Sequence, residues 1–240
     1  TYLVDNGIDI NCKNSENETA IFNAAFFGNL DCLNFLISKK AEIDCINIEN
    51  ETPLSIAVQN NIEDNIECIK ALINNGADVN HANHLGRTPL FYAAEVGNKD
   101  VIELLIKHGS NTNYADNYNN TPIFHAILED KSEALLVLIS NGANINHISN
   151  DHEDRKLTMP ILEAIEIERV ECIKIFLENG IDLNFDYKNI FDSQSSIKLI
   201  DAAKIINDKS ADYIQGYFDS NHLQDTIYIQ DGKNAPGFLF

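Results

Sequence analysis

Apolar residues recur three and four positions apart in five short segments of the chain, and polar residues separate each segment from the next. One example is Ile102, Leu105 and Ile106. This spacing places the apolar side chains on one face of a helix. A shorter segment with an Ala pair or an Ala-apolar pair, such as Ala93-Ala94 or Ala126-Ile127, precedes each one. The pattern therefore predicts pairs of short helices: a first helix whose small residues let its neighbours approach, and a second helix with one buried face.

A glycine follows the second predicted helix at nearly regular intervals. These glycines are 33, 33 and 38 residues apart, and they are Gly76, Gly109, Gly142 and Gly180. Each precedes a phrase like Ala-Asp-Val-Asn, as at 77–80. Glycine in this place ends a helix in the left-handed conformation, and a period near 33 residues is typical of stacked helix pairs. Lys40 takes the same place in the first repeat, which predicts a strained helix end there.

A second recurring phrase predicts where each helix pair begins. Threonine followed by proline caps a helix with its hydroxyl and starts it with a residue that needs no N–H donor. The copies are Thr52-Pro53, Thr88-Pro89 and Thr121-Pro122, with Thr19-Ala20 and Met159-Pro160 as weakened forms. Five repeats are therefore predicted over residues 19–191, and they start near 19, 52, 88, 121 and 159.

The stretches between repeats are predicted to form hairpins, which we call fingers. Asn17, Asn50, Gly86 and Asn119 occupy the tight-turn position, and these residue types tolerate positive φ best. Two insertions break the period, one within 59–66 between helices and one within 150–158 on a finger. Insertions in stacked arrays form loops beside the core.

The ends of the chain depart from the repeat. Residues 1–18 match the end of a repeat without its beginning, and the chain starts without Met, so we interpret them as the C-terminal part of a truncated leading repeat. Residues 192–219 keep an Ala pair and are predicted to be a degenerate helix pair that caps the array. Residues 220–240 form a tail that is either flexible or, near 226–230, strand-forming.

Together, the Thr-Pro starts, the Ala pairs, the apolar stripes and the Gly-Ala-Asp-Val-Asn phrase resemble the ankyrin repeat over about residues 1–191. The resemblance implies an all-α repeat solenoid, a stack of helix-turn-helix units with β-hairpin fingers. It also implies a partner protein on the concave side, against the fingers and first helices. Ser55, Phe91 and Phe124 replace the histidine usual in the family, which exchanges an inter-repeat hydrogen bond for apolar contact.

Charge narrows the possible partners. Lys and Arg number 17 against 37 Asp and Glu, a formal net charge of −20. Such a field repels phosphate backbones and anionic bilayers, so we expect no nucleic-acid partner. The apolar runs are too short to insert into a membrane. The acidity either keeps an elongated, monomeric array soluble or complements a partner protein with a basic rim.

Cysteine usage and codon-biased composition suggest a location. Cys32, Cys68 and Cys172 hold equivalent positions on second helices and are predicted to be buried free thiols, which indicates a reducing, cytoplasmic compartment. Asn and Ile fill 65 of 240 positions, as AT-rich coding favours. Many ankyrin proteins of intracellular bacteria and protists resemble the chain in this composition, and some bacterial ones are injected to bind host proteins. A host-directed bacterial effector acting in the host-cell cytosol is therefore one expectation.

The sequence does not favour catalysis, a metal or a cofactor. His81 and His147 take equivalent places two repeats apart, roughly 20 Å at one helix-packing distance per repeat, which is too far to share a zinc ion. His125, on a first helix, is predicted to be an inter-repeat hydrogen bonder. The chain has neither a glycine-rich phosphate loop nor a Gly-x-Ser-x-Gly elbow. We therefore predict a protein that is not an enzyme.

The family resemblance maps a candidate partner-binding row onto finger and first-helix positions. Its members are Phe26, Phe27, Ile46, Ile48, Glu49, His84, Leu85, Arg87, Glu95, Tyr118 and Leu128, with Glu16, Glu18 and Glu51 beside them. Apolar anchors with an acidic rim favour a protein-binding scaffold. Alternatively, one of the two phenylalanines packs beneath a neighbouring finger. The competing functions are a targeting or regulatory module of an enzyme whose catalytic part precedes residue 1, or a purely structural spacer.

Overall fold

The computed structural model of the chain describes residues 7–60, 65–150, 157–183, 185–187, 190–191 and 197–220. It divides into two compact parts, an N-terminal part of residues 1–147 and a C-terminal part of residues 148–240. The described residues of the N-terminal part contain eight helices: α1 (Ala20–Phe26), α2 (Leu30–Ser38), α3 (Pro53–Gln59), α4 (Asn65–Asn74), α5 (Pro89–Val96), α6 (Lys99–Lys107), α7 (Pro122–Leu128) and α8 (Ser132–Ser140). Those of the C-terminal part contain β1 (Ser149–Asn150), β2 (Leu157–Thr158), α9 (Pro160–Glu166), α10 (Val170–Glu178), α11 (Leu199–Ile206) and α12 (Asp208–Ser220).

The helices of the N-terminal part form four pairs that pack in sequence order. The first helices pack in a row, with α1 against α3, α3 against α5 and α5 against α7, and each also contacts the second helix of its own pair. The predicted small residues lie at these contacts: Ala93, Ala94 and Ala126 are fully buried. Ile102 and Leu105 of α6 are fully buried as well, as the apolar stripe predicted. The fold class predicted from the sequence, an all-α repeat solenoid, is confirmed.

The threonines mark the helix starts, although their hydroxyls mostly do not cap. Thr19, Thr52, Thr88 and Thr121 have extended backbones immediately before α1, α3, α5 and α7. Only the Thr52 hydroxyl accepts the capping bond, from the Ser55 N–H at 3.3 Å. The predicted hydroxyl caps at the other three are therefore wrong. Proline already fixes φ at the start of α5 and α7, and the Thr19 hydroxyl lies 3.3 Å from the Cys45 thiol instead.

The predicted left-handed helix ends are present. Gly76, Gly109, Gly142 and Gly180 have φ between 85° and 95°, and Lys40 adopts φ 66° in the same place. A side chain with a Cβ is strained in this conformation by roughly 1–2 kcal/mol. Lys40 thus stores conformational strain that the glycines of the later repeats avoid.

Replacing Lys40 with glycine is expected to raise the free energy of unfolding by up to about 1 kcal/mol. The relief of left-handed strain outweighs the extra backbone entropy of glycine in the unfolded chain. The matched control is the reverse change, Gly76→Lys, where a Cβ would meet no atom within 4 Å, so only conformation is tested. Urea midpoints should move in opposite directions. Movement in the same direction would show that the strain is not the cause.

One cysteine departs from its predicted burial. Cys68 and Cys172 are buried, but Cys32 on α2 is exposed, so the prediction for Cys32 is wrong. Helix α4, which carries Cys68, packs against α2, whereas no second helix precedes α2 among the described residues. Cys32 on α2 therefore lacks the preceding second helix that Cys68 on α4 has.

In the C-terminal part, α9 contacts α10 and α11, and α11 contacts α12. Ala202 and Ala203 of α11 are fully buried, as is Ile214 of α12. Helices α11 and α12 cover most of the predicted capping segment 192–219, and the role of that segment as a cap stays a prediction. Residues 1–6, residues 61–64 of the insertion predicted within 59–66 and residues 221–240 of the predicted tail 220–240 lie outside the described residues. So do residues 151–156, which β1 and β2 flank in an antiparallel pair with Ser149 opposite Thr158.

Candidate protein-binding surface

The four fingers of the N-terminal part share one turn, closed by an Asn or Asp side chain. In the third finger, Asn83 Oδ1 accepts hydrogen bonds from the N–H groups of Leu85 at 2.9 Å and Arg87 at 3.0 Å. The Asn83 N–H donates to the Arg87 carbonyl at 3.0 Å. Asn14, Asn47 and Asp116 make the same three bonds in the other fingers.

This turn was missed in the sequence, although its signal is present: an Asn or Asp stands three residues before each tight-turn position. The tight-turn residues behave as predicted, with positive φ at Asn17, Asn50, Gly86 and Asn119. The fingers of the N-terminal part are not strand-paired hairpins, because their described residues form turns held by side chains, without ladder pairing. The β-hairpin of the predicted fold is therefore corrected to an Asn-closed turn in these four fingers.

Backbone and amide bonds join each finger to the next. The N–H of Ile48 donates to the Glu16 carbonyl at 3.0 Å, and the side-chain amide of Asn17 donates to the Ile46 carbonyl at 2.8 Å. Equivalent bonds run from the His84 N–H to the Glu49 carbonyl and from the Asn117 N–H to the Leu85 carbonyl. The finger tips therefore form one continuous, hydrogen-bonded ridge before any partner arrives.

Two histidines reinforce this ridge in the same way, two repeats apart. The ring Nε2 of His81 lies 3.0 Å from the Asn50 carbonyl, and that of His147 lies 2.7 Å from the Asn119 carbonyl. Each histidine thus holds the turn of the preceding finger. Among the residues that the structure describes, no three His, Cys, Asp or Glu residues gather in a way that could hold a metal ion.

Most of the apolar residues of the predicted row are open to solvent. The exposed fractions are 44% for Phe26, 65% for Phe27, 56% for Ile48, 40% for Leu85 and 40% for Leu128. The rings of Phe26 and Phe27 meet edge to face with centroids 5.0 Å apart. Since both side chains are exposed, neither is hidden beneath a finger as the alternative supposed.

The polar members of the row divide into two groups. Glu49 and His84 are exposed, whereas Arg87, Glu95 and Tyr118 are half-buried, as is the apolar Ile46. Glu51, expected beside the row, is buried, and it accepts a hydrogen bond from the Tyr92 hydroxyl at 2.7 Å. The expectation of a surface Glu51 is therefore wrong. Its carboxylate ties the second finger to α5 instead.

Arg87 and Glu95 belong to a charged cluster between the third and fourth repeats. Arg87 Nε lies 3.5 Å from Asp116 Oδ2, and the Asp116 side chain has no exposed surface. His125 Nδ1 lies 3.4 Å from Glu95 Oε2, while its Nε2 is 3.9 Å from Asp116 Oδ2. His125 therefore bridges repeats as predicted on the Glu95 side, but its contact with Asp116 is an ion pair longer than a hydrogen bond.

The cluster holds its groups in their charged forms. Burial lowers the pKa of His125, but the carboxylates of Asp116 and Glu95 outweigh it, so the pKa is raised above its ordinary value. Burial likewise opposes ionisation of Asp116, but contacts with His125 and the finger N–H groups lower its pKa overall. The paired imidazole lowers the pKa of Glu95. The charges of the cluster thus support one another across the repeat boundary.

The stabilisation from His125 is expected to fade at alkaline pH. When folding raises the pKa of a histidine, its contribution to the free energy of unfolding is fully present below the pKa of the unfolded state, near 6.5. That contribution is lost as the pH rises through the pKa of the folded state. Asp116 and Glu95 stay ionised throughout, because their pKa values are lowered. Urea unfolding of the native chain and of His125→Gln should therefore differ more at pH 5.5 than at pH 9. An equal or larger difference at pH 9 would contradict the assigned charge.

These features define a class of protein: a helical repeat array with a rigid row of fingers and exposed apolar side chains. A family model for ankyrin repeats, built on three copies, matches residues 1–83 and 61–149. The chain belongs to the ankyrin repeat family. No curated protein matches it. Ankyrin repeats are generally protein–protein interaction modules and are typically non-catalytic. Within the described residues, every helix is too short or too polar to cross a membrane.

Proposed function

We propose that the chain is a non-enzymatic scaffold that binds one partner protein along its finger surface. The finger surface is the set of exposed residues on the fingers and first helices of the N-terminal part, namely Phe26, Phe27, Ile48, Glu49, His84, Leu85 and Leu128, with Ile46 and Tyr118 half-buried among them. The observation that carries the proposal is that apolar side chains stand exposed on a ridge already fixed by hydrogen bonds.

The hydrogen bonds between the fingers favour binding because the finger backbone is already ordered before a partner binds. Immobilising loops and side chains on association costs free energy, and a preorganised surface avoids part of that cost. Exposed aromatic residues are the side chains that most often supply binding energy at interfaces. Phe26 and Phe27 are therefore the expected anchors, and the Asn-closed turns are the framework that presents the neighbouring apolar residues.

Acidic side chains along this surface favour a partner with a basic rim. Glu16 and Glu49 are exposed on the first and second fingers, and the whole chain carries a formal net charge of −20. Complementary charge increases association rates more than it increases affinity, and salt screens it. Association should therefore slow as ionic strength rises, with a smaller change in the dissociation rate.

Site-specific photo-cross-linking tests the proposal. A benzophenone side chain is placed at Phe27 or Leu85 and, as the matched control, at Leu136, which is 46% exposed on the second helix α8. The finger positions should both label the same protein in a lysate of the source cells, and excess unmodified chain should suppress the labelling. Labelling from Leu136 alone, or different proteins from the two finger positions, would contradict a shared binding surface.

Several finer expectations accompany this proposal and stay predictions. They are a monomeric array, a cytoplasmic location and a role as a host-directed bacterial effector. The alternative role, as a targeting or regulatory module of a larger enzyme, also stays a prediction. Each concerns the setting in which the finger surface works, and none changes which residues we expect to contact the partner.

A further inference from the structure

A groove of about 280 Å³ lies at the first repeat, where the finger meets α1. Its walls include the acidic residues Glu16 and Glu18 and the aromatic residues Phe26 and Phe27. It can therefore accept a long side chain from a bound protein.

The two phenylalanine rings at the groove meet each other edge to face. The planes of the Phe26 and Phe27 rings are 89° apart, and the Phe27 side chain is the more exposed of the two at 65%. The π-face of such a ring attracts a cation held within about 6 Å of its centre. A planar cation can stack on an exposed ring of this kind.

The acidic wall has carboxylate oxygens available for a cation. Within the described part of the chain, neither Glu16 nor Glu18 pairs with a lysine or arginine. Glu18 Oε2 accepts one hydrogen bond, from the Asn14 side-chain amide at 3.0 Å, which leaves its other oxygen for a ligand. A groove lined by two acidic and two aromatic residues complements a positive charge on an apolar stem.

We propose that this groove is a subsite for an arginine side chain of the partner protein, a proposal that rests on the function proposed above. The guanidinium is planar, stacks on aromatic rings and bonds carboxylates through two parallel N–H donors, whereas the lysine ammonium is a strongly hydrated point charge. Phe22 and Ile56 also line the groove and offer apolar surface to the methylene stem of arginine. The partner therefore presents an arginine at the edge of its apolar contact patch.

The test titrates three small probes into the full chain and follows backbone amide shifts by NMR. The probes are N-acetyl-arginine amide, N-acetyl-lysine amide and N-acetyl-citrulline amide, the last having the shape of arginine without its charge. Saturable shifts at Asn23, Phe26 and Phe27 are expected for arginine, with lysine about threefold weaker and citrulline not saturating. Equal binding of citrulline or lysine would overturn the assignment to a guanidinium.

Variants locate the binding. Phe27→Ala, and Glu16→Gln combined with Glu18→Gln, are each expected to weaken the arginine probe about threefold to fivefold. Glu103→Gln, an exposed acid on α6, and Leu136→Ala should leave it unchanged. Unchanged binding in both groove variants would place the arginine elsewhere and overturn the proposal.

The experiments distinguish failure of the arginine subsite from failure of the scaffold function. If cross-linking from Phe27 succeeds while no probe saturates, the arginine subsite is wrong and the scaffold function stands. If the arginine probe saturates while neither finger position cross-links a protein, the groove binds a guanidinium and the scaffold function is wrong.

Discussion

Replacing Asp116 with alanine is expected to lower the free energy of unfolding by about 3–5 kcal/mol, because it removes one partner of a buried ion pair. The Asp116 carboxylate has no exposed surface, and it accepts the Tyr118 and Asn120 N–H groups, both at 2.9 Å, while facing Arg87 and His125. Its loss leaves the Arg87 charge unpaired and opens the fourth finger. Urea unfolding followed by circular dichroism measures the change.

A second variant separates the turn from the charge. Asp116→Asn introduces the residue that closes the first three fingers, so the two N–H bonds can persist while the pairs with Arg87 and His125 are lost. We expect Asp116→Asn to lower the free energy of unfolding clearly less than Asp116→Ala does. It should also make the free energy of unfolding depend less on His125. Asp212→Ala, an exposed acid on α12, controls for net charge and should change stability by less than about 0.5 kcal/mol. If Asp116→Asn lowers the free energy of unfolding as much as Asp116→Ala does, the loss comes from the ion pairs and not from the turn.

Replacing Phe91 with alanine is also expected to cost about 3–5 kcal/mol, since it opens a large cavity. Phe91 is fully buried on α5, and its ring meets the His125 ring edge to face with centroids 5.3 Å apart. The contact crosses the boundary between the third and fourth repeats. In a stacked array each repeat is stabilised by its neighbours, so the loss should also make unfolding less cooperative, with a broader urea transition.

The matched control for Phe91→Ala is the same substitution at Phe27. Because Phe27 is 65% exposed, its loss should change the free energy of unfolding by no more than about 0.5 kcal/mol. The two variants thus compare the same truncation, from phenylalanine to alanine, at a buried repeat boundary and on the proposed binding surface. A large loss of stability in Phe27→Ala would show that this residue has a structural role.

The helix pairs were predictable because their signals are local. Apolar spacing predicts which face of a helix is buried, and a glycine or asparagine predicts a positive φ at the residue itself. The turn closed by Asn83 was equally local, but its signal lies three positions before the residue with positive φ, which alone was used to predict the finger. A repeated Asn or Asp at that offset is a usable signal in other chains of this family.

The charged contacts could not be predicted in the same way. Glu51 looks like a surface residue of a finger, yet its partner Tyr92 stands 41 residues later. Such pairings depend on which side chains meet once repeats are stacked, and no periodic pattern contains that information. The exposure of Cys32 has the same origin, since it follows from the neighbour that α2 lacks among the described residues.

The affinity of the cross-linked partner, once purified, tests the central claim most directly. Isothermal titration compares the native chain with the double variant Phe27→Ala, Tyr118→Ala and with Leu136→Ala, each first shown to be folded by circular dichroism. Loss of two interface aromatics should weaken binding by at least about tenfold, while Leu136→Ala should leave the Kd within about twofold. An unchanged Kd in the double variant, with weakened binding in Leu136→Ala, would contradict the finger surface as the binding site.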